Sequence, residues 1–176
     1  MLERDFAGAE KVLVEFPGEE FPPPFVGWKT FARARTALAE GDPATARALF
    51  EKARPAYEAL VQDHPDEPRF LARLGLLYAY LGRNEDAVRE SRRAVDLVAE
   101  NDAIDRPRYS GNLALVYALT GETDEAITLV EQLLTTPTGP EDQITITELR
   151  SWKWDSLRSN PRFQKILEGP EPKTVY

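Results

Sequence analysis

The sequence predicts an all-α fold of repeated antiparallel helix pairs, and three observations support this. A glycine, four intervening residues and an alanine occur together three times, starting at Gly41, Gly82 and Gly121. Each copy lies between two stretches whose apolar residues recur at helical spacing. Prolines in the longer loops prevent the helices from running on. Repeated helix–turn–helix units of this kind are the sequence signature of a solenoid, which presents an extended binding surface.

Each repeated motif has the composition of a turn inside one helix pair. Glycine ends the first helix because it adopts the left-handed backbone conformation that residues with a Cβ resist. Asp42, Asn84 and Thr123 are predicted to cap the second helices, and Pro43 suits a first helical position. The alanine that closes each motif is small enough for the two paired helices to approach closely.

The helical patterns divide residues 1–167 into the parts of a single solenoid. Residues 1–16 have the spacing of a second helix whose partner is absent, so we expect the natural chain to begin before Met1. A genuine N-terminal capping helix is the alternative. The other parts are a proline-rich connector over 17–27, complete repeats over 28–63, 68–101 and 107–136, a C-terminal cap over 142–167 and a frayed tail over 168–176.

The helices within these parts follow from the same patterns. Pro55 is expected to kink or restart the second of them, because a proline inside a helix removes a backbone hydrogen bond. The predicted helices cover 28–40, 43–62, 69–81, 85–100, 108–120 and 124–135, with a short helix near 142–150.

The second and third repeats resemble the tetratricopeptide family. The resemblance implies a right-handed solenoid of antiparallel helix pairs that binds proteins or peptides and is not an enzyme. The motif alanines at 46, 87 and 126 recur every 41 and 39 residues, against about 34 for this family, so HEAT-like repeats of about 40–47 residues are the alternative. The residues that carry the resemblance are Leu71, Leu74, Gly75, Tyr78, Gly82, Ala87 and Ala94, then Leu113, Ala114, Tyr117, Gly121, Ala126 and Leu133.

The segment from Trp154 to Leu167 carries a second resemblance. Its pattern Trp-Asp-x-Leu-Arg-x-x-Pro-Arg-Phe-x-x-Ile-Leu resembles the end of tetratricopeptide regions in bacterial multidomain signalling proteins. This implies that the chain is the C-terminal part of a larger bacterial regulator, following a kinase-like, cyclase-like or winged-helix domain. The apolar residues of the segment are expected to cover the open end of the stack. The alternative is that Trp152 and Trp154 line a ligand groove.

Composition argues against several other functions. The formal net charge of −8 opposes nucleic-acid binding, which needs a basic field. No apolar run reaches the length of a membrane span and no signal segment follows Met1, so we expect a cytoplasmic protein. With no cysteine and one histidine, His64, a zinc site of soft ligands cannot form. No phosphate-binding glycine loop or nucleophile elbow occurs, and we expect no cofactor, no metal and no catalysis.

The first helices of the three repeats carry six basic residues and no acidic ones within 28–39, 69–81 and 108–120. The family resemblance implies that these helices line the concave groove, so we expect an acidic peptide or a C-terminal carboxylate as the ligand. Pairing of the arginines with acids on neighbouring helices is one alternative. Self-association through exposed solenoid ends, giving a homo-oligomer, is a second hypothesis for the function. The implied peptide-binding residues are Arg35, Arg69, Arg73, Leu76, Tyr80, Arg108, Asn112 and Leu115.

Overall fold

The computed structural model describes residues 27–136 and 144–171, and all regular elements in these ranges are helices. The all-α prediction is therefore confirmed. The predictions for residues 1–26, 137–143 and 172–176 lie outside the described residues. The α-helices are α1 (Trp28–Ala39), α2 (Pro43–Asp63), α3 (Pro68–Tyr80), α4 (Asn84–Asp96), α5 (Asp105–Thr120), α6 (Thr123–Thr135), α7 (Ile146–Leu149) and α8 (Pro161–Leu167), with a 3₁₀ helix over Trp152–Leu157.

The chain forms two compact units, the first ending at Pro65 and the second beginning at Asp66. The described part of the first unit is the antiparallel pair of α1 and α2. Apolar residues at helical spacing form the buried interface of this pair. The Phe31 and Phe50 rings pack edge to face there, with their centroids 5.3 Å apart. Ala34, Ala46 and Phe50 expose none of their surface to solvent.

The second unit is organised around α5. This helix packs against its partner α6, against both helices of the preceding pair, α3 and α4, and against the 3₁₀ helix. Its C-terminal half is accordingly apolar over nearly the whole circumference, with every residue from Leu113 to Ala118 buried. A helix that is surrounded in this way depends on tertiary packing for its stability more than on its intrinsic helix propensity.

The three turn glycines have the predicted left-handed conformation, with φ values of 84°, 76° and 88° for Gly41, Gly82 and Gly121. The predicted cap at Asp42 is also present, since its carboxylate accepts a hydrogen bond from the Thr45 amide at 3.0 Å. The predicted caps at Asn84 and Thr123 are wrong. These two residues are the first residues of α4 and α6, one position inside the helix.

The motif alanines lie where the paired helices cross, as predicted: Ala46, Ala87 and Ala126 are all fully buried. Helices α3 and α4 approach each other closely. A Cβ added to Gly75 would lie 2.1 Å from the Ser91 Oγ and 2.9 Å from the backbone oxygen of Ala87. Glycine is therefore required at position 75 by the proximity of the neighbouring helix.

Two helix boundaries near the α4–α5 loop differ from the prediction, and hydrogen bonds made by side chains of the loop and of α5 accompany both. Helix α4 ends at Asp96, and the Arg106 Nη1 donates to the backbone oxygen of Val98 at 2.8 Å. Helix α5 begins at Asp105, three residues early, where the Asp102 carboxylate accepts the Asp105 amide at 2.8 Å. In the first unit, α2 runs through Pro55 as one helix.

The C-terminal segment folds onto the last helix pair of the second unit. The 3₁₀ helix contacts α5, and α8 contacts both α6 and α7. Trp154 is 2% exposed, and its indole N–H donates to a Glu148 carboxylate oxygen at 2.8 Å. Glu171 accepts the Ile146 amide at 2.7 Å, and hydrogen bonds led by that from the Thr147 side chain lower the pKa of Glu171.

Candidate functional site

Seven of the eight predicted peptide-binding residues lie on two adjacent helices of the second unit. Spacings of four, seven and eleven residues keep side chains on one face of a helix. Because α3 and α5 pack side by side, the two sets of residues belong to neighbouring helices. We call them together the α3–α5 face: Arg69, Arg73, Leu76 and Tyr80 on α3, and Arg108, Asn112 and Leu115 on α5.

The eighth residue, Arg35, lies on α1 in the first unit. Its guanidinium Nε is buried and has no hydrogen-bond partner among the described residues. Arg35 therefore belongs to a different compact unit from the other seven residues. Its role in peptide binding stays a prediction.

The seven residues differ in how much of their surface a ligand can reach. The side chains of Arg69 and Arg108 are 48% and 47% exposed. Arg73, Leu76, Tyr80 and Asn112 are partly buried, and Leu115 is 8% exposed. The ends of the arginines are thus the most accessible groups, and most of the Leu115 surface is used in packing.

Arg69 and Arg108 each lie near a carboxylate at the start of their own helix. The Arg69 Nε is 3.4 Å from a Glu67 carboxylate oxygen, and Glu67 is the N-cap residue of α3. The Arg108 Nη1 is 3.3 Å from an Asp105 carboxylate oxygen in the first turn of α5. Exposed ion pairs of this kind contribute about 0–1 kcal/mol, so a ligand carboxylate can exchange with them.

Tyr109 lies near charged residues at the starts of both α3 and α5. Burial raises its pKa, and the negative charges of Asp105 and Glu67 raise it further. The two carboxylates therefore lie near one phenol, together with Arg108, whose positive charge lowers the pKa of Tyr109. Sequence analysis missed these acids because each lies just outside the predicted first helices, 69–81 and 108–120. The signal available in the sequence was an acidic residue two or three positions before each arginine.

Asn112 connects the two helices of the face. Its side-chain amide donates to the backbone oxygen of Ala72 on α3 at 3.1 Å. Its amide oxygen is buried and has no hydrogen-bond partner among the described residues. Asn112 therefore fixes α5 against α3.

The described residues contain no group of three or more His, Asp or Glu side chains that could hold a metal ion. The buried acid Glu90, 7% exposed, is neutralised by the guanidinium groups of Arg89 and Arg93 at 2.9 and 3.2 Å. None of the described helices is long and apolar enough to cross a membrane.

The comparisons agree with the repeat architecture. Two family models, each described as tetratricopeptide repeat, match residues 31–102 and 110–144, together more than half of the chain. No curated protein matches the chain significantly, and no solved structure does so. Tetratricopeptide repeats are a non-catalytic family that generally mediates protein–protein interaction. With helix pairs, turn glycines and crossing alanines at the matched positions, this chain belongs to the tetratricopeptide repeat family.

Proposed function

We propose that this chain is a non-enzymatic interaction module that binds an acidic peptide segment, or a C-terminal carboxylate, on the α3–α5 face. The observation that supports this best is the alignment of Arg69, Arg73 and Arg108 on two adjacent helices. Arginine suits the ligand because its planar guanidinium binds a carboxylate through two parallel hydrogen bonds. Leu76 and Tyr80, partly exposed on the same side of α3, provide apolar contact beside the charges.

The ion pairs within the face are weak enough for an acidic ligand to compete with Glu67 and Asp105. Their oxygens lie 3.4 and 3.3 Å from the arginine nitrogens, and both partners in each pair are more than a third exposed. A ligand that offers two hydrogen bonds to each guanidinium replaces a weak contact with a stronger one. The Asn112 side-chain amide donates to the Ala72 backbone oxygen and so holds α5 against α3 while the ligand binds.

The wider context of the module is a separate proposal. The resemblance of residues 154–167 to the ends of bacterial multidomain signalling proteins supports a place at the C-terminus of a larger cytoplasmic regulator. Self-association through residues 1–16 is the alternative, and those residues lie outside the described ones. Sedimentation velocity at several concentrations distinguishes a monomeric binding module from a self-associating scaffold.

A peptide-array screen followed by charge reversal tests the binding face. Arg73→Glu and Arg108→Glu should each weaken the best acidic peptide by at least about tenfold. Arg47→Glu is the matched control, because Arg47 is an exposed arginine on α2, outside the face. Raising the salt concentration toward about 1 M shortens the screening length to about 3 Å and should weaken binding as well.

Two results would contradict this function. The first is that the best peptides are neutral or basic. The second is that both charge reversals leave the affinity unchanged while thermal melting shows the variants to be folded. Either result would show that the α3–α5 face does not bind acidic segments.

A further inference from the structure

A recess of about 450 Å³ lies at the edge of the second unit, outside the α3–α5 face. Its walls are the α4–α5 loop, the first turns of α5 and the C-terminal half of α6. A cavity of this size falls within the range of about 300–1,000 Å³ that is usual for ligand sites. The lining residues that matter below are Glu100, Asp102, Arg106, Ser110, Leu129 and Leu133.

The loop that forms one wall is held by tertiary and local hydrogen bonds. One carboxylate oxygen of Asp102 accepts the amides of Ile104 and Asp105 at 2.9 and 2.8 Å. The guanidinium of Arg106 donates to the Val98 backbone oxygen at 2.8 Å. These bonds fix both ends of the loop, so the recess is formed before any ligand binds.

The electrostatic character of the recess is negative. Glu100 is exposed and forms no ion pair with the described residues. Backbone hydrogen bonds from Asp105 and Ile104 lower the pKa of Asp102 and keep it ionised. Arg106, the basic residue in the lining, has its guanidinium directed to the end of α4. Helix α6 ends beside the recess with no basic residue in its own last turn, so the negative end of its dipole adds to this character.

The interior offers apolar contact and one hydroxyl group. Leu129 and Leu133 of α6 contribute apolar surface to the lining. Ser110 is only 8% exposed, lines the recess, and its hydroxyl makes no hydrogen bond with the described residues. A hydroxyl that lines the recess can donate a hydrogen bond to a ligand group or accept one from it. Ile104, on the adjoining loop, is 62% exposed and extends the apolar surface outward.

We propose that the recess binds a protein segment in which a large apolar side chain stands beside a lysine or an arginine. The apolar side chain packs on Leu129 and Leu133, a backbone group pairs with the Ser110 hydroxyl, and the cation lies against Glu100 and Asp102. This site is distinct from the α3–α5 face. At 3.6 residues per turn, Arg106 and Ser110 lie on the opposite side of α5 from Arg108 and Asn112.

Three capped heptapeptides titrated into ¹⁵N-labelled protein test the proposal. The first carries one leucine between two lysines, the second has serine in place of leucine, and the third has glutamates in place of the lysines. The first should shift the amide resonances of Ser110 and Thr136 saturably, and the other two should bind at least about fivefold more weakly. Glu100→Lys and Ile104→Ser, both at exposed positions, should each weaken the first peptide.

Asp63→Lys is the matched control for charge, since Asp63 is an exposed acid at the end of α2 in the first unit. It should leave the affinity for the leucine–lysine peptide unchanged. The proposal is overturned if no peptide shifts Ser110 and Thr136, if the glutamate peptide binds as well as the lysine peptide, or if Glu100→Lys has no effect. Failure of the acidic-ligand proposal is seen separately, at the amides of Arg73 and Asn112.

Discussion

At the scale of single residues, Gly75 shows how strictly the crossing of α3 and α4 limits side-chain size. Alanine has a helix propensity about 1 kcal/mol better than glycine. At position 75, however, the added Cβ would lie 2.1 Å from the Ser91 Oγ and 2.9 Å from a backbone oxygen. We expect the steric cost to exceed the propensity gain, so Gly75→Ala should destabilise the protein by roughly 1–3 kcal/mol. Urea denaturation measures the change.

Gly111→Ala is the matched control for this prediction. Gly111 is also inside a helix, but its Cβ would meet Ile144 at 3.5 Å, an ordinary contact. The propensity term should then dominate, and the variant should be as stable as the parent or more stable by up to about 1 kcal/mol. Equal stability changes for the two variants would show that the close approach at Gly75 has no energetic consequence.

Residue identity predicted some local features and not others. The turn glycines and crossing alanines follow from sequence because their conformation or size is an intrinsic property of the residue type. The caps at Asn84 and Thr123 were misplaced by one residue, since the helix start depends on tertiary packing as well as on the capping residue. The roles of Asp102 and Arg106 were also missed. The Arg106 partner, the Val98 backbone oxygen, lies in the loop after α4, and the conformation of that loop is not readable from residue types alone.

At the scale of elements, the C-terminal segment protects the last helix pair. We expect Trp154→Ala to cost about 3–5 kcal/mol, because Trp154 is 2% exposed and its indole N–H is hydrogen-bonded to Glu148. Truncation after Pro140 removes α7, the 3₁₀ helix and α8 together, and should cause association or partial unfolding of α5 and α6. Chemical denaturation and sedimentation measure the two effects.

Trp152→Ala provides the comparison, since Trp152 is only partly buried in the same 3₁₀ helix. Its substitution should cost clearly less than that of Trp154. A truncated chain that stays monomeric and equally stable, or equal costs for the two tryptophans, would contradict the protective role.

Helix order and pairing were predictable from the sequence, whereas the detail of the candidate site was not. The periodic apolar residues specify which face of each helix is buried. The neighbours of a charged side chain depend instead on how adjacent helices are rotated and shifted. The proximity of Glu67 and Asp105 to Tyr109 depends on how α3 and α5 pack together, so it could not be predicted from the sequence.

At the scale of the whole molecule, the net charge of −8 conceals two regions of opposite character. The α3–α5 face carries three arginines, and the recess beside the α4–α5 loop is lined by the carboxylates of Glu100 and Asp102 together with Arg106. Screening at physiological ionic strength acts over about 8 Å, so each region attracts its own ligand with little influence from distant charges.

The two proposed sites should therefore bind at the same time. In an NMR titration with an acidic peptide and the leucine–lysine peptide together, we expect the shifts at Asn112 and Ser110 to equal those seen with each peptide alone. The two peptides can also attract each other, and a mixture without protein controls for this. Displacement of one peptide by the other would show that they compete for one surface.

The turn at Gly82 has a further consequence, which concerns handedness. An added Cβ of ordinary chirality would meet no atom within 4 Å there, so size does not exclude other residues. The φ of 76° disfavours them by roughly 1–2 kcal/mol, because glycine and D-amino acids adopt this conformation readily and L-residues with a Cβ do not. A D-alanine introduced at this position by chemical ligation would hold the turn in its native form while restricting the unfolded chain. A D-amino acid, which ribosomes do not incorporate, should therefore stabilise the protein at this turn.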